Sequence, residues 1–134
     1  MSTVDLIDTC VFIDLARFDV VQLPDLVEIS AVTVAELGQG VELAGSAVTR
    51  AARSEKLAAA LRDFEPLPFD TDTVVRFQTM VALVVAAGRH PRQRRIDLMI
   101  AAIASVNGLP LYTSNPDDFV GLETALSVVA ISPG

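Results

Sequence analysis

The stretch Val4-Asp5-Leu6-Ile7-Asp8-Thr9-Cys10 decides the fold. Val4 to Ile7 reads as a short buried strand that runs into a carboxylate, a hydroxyl and a second apolar run, Val11-Phe12-Ile13. An acid at the carboxyl end of a first strand stands where open α/β sheets hold their ligands, in the crevice beyond the strand ends. Asp8 is therefore expected to be one of several carboxylates, far apart in sequence, that converge on that crevice to hold a divalent metal.

Working outward, Val11 to Ala16 predicts a short helix that fades near Phe18-Asp19 and Pro24. Val27 to Val32 reads as a second strand, with Thr33 opening a helix at Val34-Ala35-Glu36-Leu37 and Gly38, Gly40 and Gly45 loosening the segment beyond it. Ala47 to Leu61 is an Ala-rich helix with Arg50, Arg53 and Lys56 on an exposed side, and Leu67-Pro68-Phe69 a third strand whose proline suits an edge. Asp70 or Thr71 caps a helix from Thr73 to about Ala87, ended by Gly88, with the stripe Val74, Phe77, Val81, Val84, Val85 at helical spacing. A basic turn leads to a helix from Arg94 to Val106, closed by Asn107-Gly108. Leu109 to Thr113 and Leu126 to Ile131 are the remaining strands, either side of the turn Asn115-Pro116-Asp117-Asp118.

Strands alternating with helices predict an α/β fold with a mostly parallel sheet covered on both faces. Residues 1–134 read as a single domain without repeats. The functional consequence is geometric. Strand-to-helix turns share one edge of such a sheet, so Asp8, Glu36, Asp97 and the segment 115–118 can meet.

Bulk properties narrow the class. Among 134 residues 51% are hydrophobic, which excludes a disordered chain. One cysteine rules out an internal disulfide and fits a reducing cytoplasm. No signal peptide opens the chain, and its apolar runs fall short of a membrane span. The net charge of −7 opposes nucleic acid if spread evenly, but Arg89, Arg92, Arg94 and Arg95 place four of ten cations within seven residues. That segment suits a polyanion, an acidic partner or a solvated turn.

Each acid also has a purely structural reading. Asp8 can cap the helix after it. Thr33-x-x-Glu36 matches a capping box. Asp97 shares a helical stripe with Ile100, Ala101, Ala104 and Gly108 and so points toward the covered face. Interaction with the helix N-terminus does not require that placement; a buried-edge carboxylate must be protonated, paired or metal-bound. Asp117 or Asp118 can cap a short segment at Phe119. Asp5 and Asp14 receive no role, His90 reads as exposed, and Cys10 as a small buried filler. Several carboxylates without paired Cys or His ligands fit Mg²⁺ or Mn²⁺ rather than zinc. Such ions serve in-line attack on phosphodiesters. No G-x-S-x-G, P-loop or G-x-G-x-x-G occurs. Position 10 is Cys and the sole lysine is Lys56, so phosphatase and receiver chemistries on a doubly wound sheet lack their residues.

Four segments together carry a resemblance: Leu6-Ile7-Asp8-Thr9-Cys10-Val11-Phe12-Ile13, Thr33-Val34-Ala35-Glu36-Leu37, Arg94-x-x-Asp97-x-x-Ile100-Ala101-Ala102-x-Ala104, and Tyr112-Thr113-Ser114-Asn115-Pro116-Asp117-Asp118-Phe119. In that order and spacing the chain resembles the PIN-domain ribonucleases, most closely the VapC toxins of bacterial toxin–antitoxin pairs. The resemblance implies a three-layer α/β/α sandwich, Mg²⁺- or Mn²⁺-dependent endonuclease activity on RNA, and a cytoplasmic homodimer inhibited by a VapB antitoxin. It carries over Asp8, Glu36 and Asp97 as the central acids, with Asp8 and Asp97 as metal ligands. Where many members have a fourth Asp, this chain has Asn115; Asp118 is the expected substitute, ahead of Asp117. Thr113 and Ser114 are expected to hydrogen-bond within the site, and Arg92, Arg94 and Arg95 to hold RNA phosphates. The rival reading is a PIN-like fold that only binds RNA or protein, without cleaving.

Overall fold

The computed structural model describes residues 4–134. Strand β1 (Val4–Ile7) lies inside a four-stranded, all-parallel sheet with β2 (Leu26–Glu28), β3 (Leu111–Thr113) and β4 (Val128–Ala130), in the order β2-β1-β3-β4. Alternation along β1 explains the three layers. Leu6 packs into one apolar cluster with Leu98, Ile100, Ile103 and Leu111, and Ile7 into another with Val11, Phe12, Ile29 and Leu37. The helices divide accordingly: α4 (Thr71–Ala86) packs on α5 (Arg95–Val106), and α2 (Ala31–Glu42) on α3 (Ala47–Asp63), with α1 (Thr9–Ile13) directly after β1. This is the α/β/α arrangement that the alternation of elements predicts.

Strand order fixes where a ligand site belongs. From β1 the chain moves outward to β2, then crosses to β3 on the other side of β1, so the topology reverses between β1 and β3. Ligands of open parallel sheets occupy the crevice at such a reversal. Asp8 ends β1, and Ser114-Asn115 come directly after β3.

Several boundaries differ from the sequence reading for local reasons. Helix α1 begins at Thr9 rather than Val11 because Asp8 caps it, accepting from Thr9 N at 2.8 Å. It ends at Ile13, and a 3-10 turn takes Leu15–Arg17. Strand β2 stops at Glu28, and α2 is capped by Ser30, whose Oγ accepts from Thr33 N at 3.0 Å; Thr33 is therefore inside the helix and forms no capping box with Glu36. Leu67 makes only an isolated bridge to Ser30, because Leu67 N–H and C=O are both spent on Ile29 and Ala31 and the next residue, Pro68, has no N–H to extend it. Gly38 and Gly40 lie within α2, which runs on to Glu42. Strand β3 starts at Leu111, since Pro110 can accept from Leu6 N but cannot donate. Leu126 N bonds back to Leu122 O, so that residue closes a turn instead of opening β4. On α4 the buried residues are Thr73, Met80 and Val84, while Val74 and Val85 face out.

Candidate active site

Four carboxylates from four separate elements stand at the carboxyl edge of the sheet: Asp8 from β1, Glu36 from α2, Asp97 from the first turn of α5, and Asp118 from the 3-10 turn Pro116–Phe119. Their charges act on one another. Burial raises the pKa of Asp8 above the ordinary carboxylate range, and the charge of Asp118 adds to it; hydrogen bonds from Thr113, Thr9 N and Cys10 oppose the shift. Glu36 is raised by burial first and by the charge of Asp8 last, with the Thr9 hydroxyl opposing. Asp97 is pushed up to about 7 by burial, then by the charges of Asp8, Asp118 and Glu36, with Arg94 pulling the other way. Asp8, Glu36, Asp97 and Asp118 are thus near enough to feel one another's charge.

The wiring of Asp8 comes from the neighbouring strand. Thr113 Oγ1 donates to Asp8 Oδ2 at 2.9 Å and in turn accepts from Asn115 N at 3.0 Å, so β3 and the turn after it are tied to β1 through one carboxylate. Cys10, expected to be a filler, reaches this group: its Sγ lies 3.5 Å from Asp8 Oδ2, and Ser114 Oγ donates to the sulfur at 3.1 Å. Asn115 therefore contributes its backbone to the site. Asp117 is not among the charges that act on Asp8, Glu36 or Asp97; its backbone carbonyl accepts from Arg89 at 2.8 Å and Arg94 at 3.5 Å.

Glu36, relieved of capping, is free to turn toward β1. Its Oε1 accepts from Thr9 Oγ1 at 2.6 Å, and Thr9 Oγ1 also lies 2.9 Å from Thr33 Oγ1. The sequence reading gave Thr9 no role and Thr33 only that of a helix cap, although Thr9 immediately follows Asp8 and Ser30 is itself a favoured N-cap residue. Beside Glu36 opens a cavity of about 580 Å³ lined by Ile13, Leu37, Val48, Ala52, Arg53 and Lys56. Arg53 and Lys56 are directed into the seam between helices and not simply outward: they donate to the carbonyls of Gly40 and Ile13. Arg50 pairs with Glu42 at 3.2 Å.

The three arginines expected to hold phosphates separate into two kinds. Arg92 and Arg95 are exposed. Arg94 turns inward, with its side chain only 22% exposed and its guanidinium 3.5 Å from Asp118 Oδ1. His90 is exposed, as expected.

The donor set suits a hard cation: carboxylate oxygens with hydroxyls behind them and no imidazole. Among the described residues no three acidic, His or Cys side chains yet surround a common point closely enough to hold an ion. The donor types fit a hard cation; the spacing among the described residues does not by itself form a site for one. Among the described residues no helix is long and apolar enough to cross a membrane.

No protein-family model matches this chain. Ribonuclease VapC5 of Mycobacterium tuberculosis is 38% identical over 128 residues, covering 93% of this chain and 92% of that protein. Ribonuclease VapC8 of the same species is 35% identical over 77% of this chain and 92% of its own length. The crystal structure of VapBC-5 from M. tuberculosis, a member of the VapBC family of toxin–antitoxin systems, matches with a TM-score of 0.81 at 37% identity, over 96% of this chain and 98% of that one. FitAcB from Neisseria gonorrhoeae matches with a TM-score of 0.75 at 25% identity, over 94% and 96% of the two chains.

Proposed function

Because this chain belongs to the VapC ribonucleases, we propose that it is the ribonuclease toxin of a toxin–antitoxin pair, cutting RNA phosphodiester bonds with Mg²⁺ or Mn²⁺ and held inactive by a VapB-type antitoxin. The observation that supports the reading is the gathering of Asp8, Glu36, Asp97 and Asp118 at one sheet edge, where burial first and then the charges of the other three raise Asp97 to about 7. Such crowding costs stability, and strongly shifted groups in a cleft cluster at functional sites.

Asp8 and Asp97 are the metal ligands in this reading, with Glu36 and Asp118 completing the charge. When bound, the ion neutralises phosphate charge and favours formation of the attacking hydroxide from water. Thr113 and Thr9 N hold both oxygens of Asp8, so that group enters the reaction already oriented. Glu36 Oε2 accepts or orients the proton of the attacking water, its other oxygen being fixed by Thr9. Arg92 and Arg95, exposed beside α5, hold the RNA backbone, and Arg94 tempers the acid cluster. The same reading carries a cytoplasmic homodimer, with the exposed Val74, Val75 and Val85 of α4 as apolar surface for a second copy to cover.

The test is cleavage of total RNA by the purified chain with Mg²⁺, with excess EDTA, and with the co-purified antitoxin. Cleavage in the first condition alone is expected. Absence of cleavage with Mg²⁺ or Mn²⁺, after removal of the antitoxin, leaves a PIN fold that only binds.

A further inference from the structure

Behind Glu36 runs a series of hydroxyls that can point only one way. Ser30 Oγ accepts from Thr33 N at 3.0 Å and donates to Thr33 Oγ1 at 3.3 Å. At the other end Thr9 Oγ1 donates to Glu36 Oε1 at 2.6 Å. A threonine hydroxyl has a single proton, so in its 2.9 Å contact with Thr33 the Thr9 oxygen must accept. Thr33 therefore donates to Thr9, and every proton from Ser30 onward is aimed at Glu36. Ser30 and Thr33 are completely buried and Thr9 is 8% exposed, so water does not compete along the way. Aligned hydrogen bonds polarise one another in such surroundings. The series also starts at the N-cap of α2, the positive end of that helix's dipole.

Capping does not account for this. The cap uses Thr33 N, which a valine at position 33 would supply equally well. Only the onward path to Glu36 needs the Thr33 hydroxyl.

We propose that Thr9 and Thr33 are positioning residues for Glu36. Thr9 fixes Oε1 and leaves Oε2, which has no hydrogen-bond partner among the described residues, as the oxygen presented to the cleft. Thr33 acts through Thr9 by holding its oxygen as an acceptor, so the Thr9 proton has one destination. What Glu36 does with Oε2 rests on the nuclease reading; the direction of the series does not.

The experiment compares wild type with Thr9→Val, Thr9→Ser, Thr33→Val and Thr33→Ser by RNA cleavage kinetics, thermal melting and proton NMR. Thr9→Val is expected to lower kcat about tenfold, the weight of one hydrogen bond to a charged group, with KM for RNA unchanged. Thr33→Val should lower kcat about threefold, since it acts at one remove. Both serine variants should recover to within about twofold of wild type, because they keep the hydroxyl. Serine and valine variants with equal kcat, or a loss confined to KM, overturn the proposal. NMR supplies a readout independent of cleavage: the wild-type Thr9 hydroxyl proton should exchange slowly and show a cross-peak to the Glu36 side chain, lost in Glu36→Ala. A hydroxyl that exchanges as fast as one in water overturns the proposal whether or not the protein cuts RNA. A protected hydroxyl in a protein that cuts no RNA upholds the positioning of Glu36 and sinks the nuclease reading instead.

Discussion

The two walls of the cleft are built differently. On the wall formed by β1, α1 and α2, Asp8 has both oxygens hydrogen-bonded and Glu36 one, and the groups that hold them are themselves held. On the wall formed by α5 and the turn 116–119, no described residue donates a hydrogen bond to Asp97, and Asp118 has a single ion pair at 3.5 Å. The first wall is organised by the fold. On the second, burial and neighbouring charge act on Asp97 with no hydrogen bond to offset them. The carboxylate with the largest upward displacement, Asp97, lies on the second wall.

Substitution should separate the walls most sharply. Asp8→Asn and Asp97→Asn are both expected to lower RNA cleavage about a hundredfold or more, since each removes a proposed ligand. Their effects on the ion-free fold should differ. Asp97→Asn removes a crowded charge and breaks no hydrogen bond, so at neutral pH it should raise the melting temperature by several degrees. Asp8→Asn also removes charge, but its amide cannot accept from Thr113 on the side where Oδ2 now does, and losing that bond costs about 1 kcal/mol. Thermal melting without metal, in EDTA, checks the order. If Asp8→Asn stabilises as much as Asp97→Asn, the contrast between the walls is broken.

The sequence made the second wall more legible than the first. Asp97 heads a stripe of small and apolar residues, and a carboxylate there has no cheap structural use, so periodicity alone picks it out. The sheet, its parallel sense and the position of Asp8 at its edge were also readable, because buried strands alternating with amphipathic helices leave few other architectures. The wiring of the first wall was not. Its hydrogen bonds join residues 9 and 36, 9 and 33, and 8 and 113, distances in sequence over which no local pattern operates. The misplaced cap illustrates the cause. Both Ser30 and Thr33 are residues favoured at an N-cap, and the choice between them is made by Leu67, which bonds to Ile29 and Ala31 and holds the backbone extended up to Ser30. A tertiary contact thus decides whether Glu36 caps a helix or faces the cleft.

The pH dependence of stability tests whether burial and neighbouring charge hold Asp97 above the ordinary carboxylate range. Asp97 has its folded value raised from 3.8 to about 7, so between those limits the folded state binds more protons than the unfolded one. Stability must then fall as pH rises through that window. Ion-free wild type and Asp97→Asn should melt alike near pH 4 and diverge toward about pH 7, with wild type the less stable. Mg²⁺ should close the gap by stabilising ionised Asp97 in the folded state, and its apparent affinity should climb over the same range as the competing proton leaves. Parallel melting curves for the two proteins across this range would mean that Asp97 is not crowded by its neighbours.

The smallest effects belong to the arginines, where the contrast between walls becomes one between inward and outward cations. Arg92 and Arg95 are exposed and face no carboxylate closely; removing either should weaken RNA binding and lower the slope of log affinity against log salt by about one. Neither should alter the pH dependence of ion-free melting. Arg94 is the opposite case: it sits 3.5 Å from Asp118 and is the cation that restrains Asp97. Arg94→Ala should leave the salt slope nearly unchanged while moving the stability loss assigned to Asp97 to still higher pH, because the one opposing charge is gone. Binding measured at several salt concentrations, beside melting at several pH values, gives both readings on the same three variants. A reduced salt slope in Arg94→Ala with no change in the pH profile would move Arg94 to the outward group and leave the second wall without any internal cation.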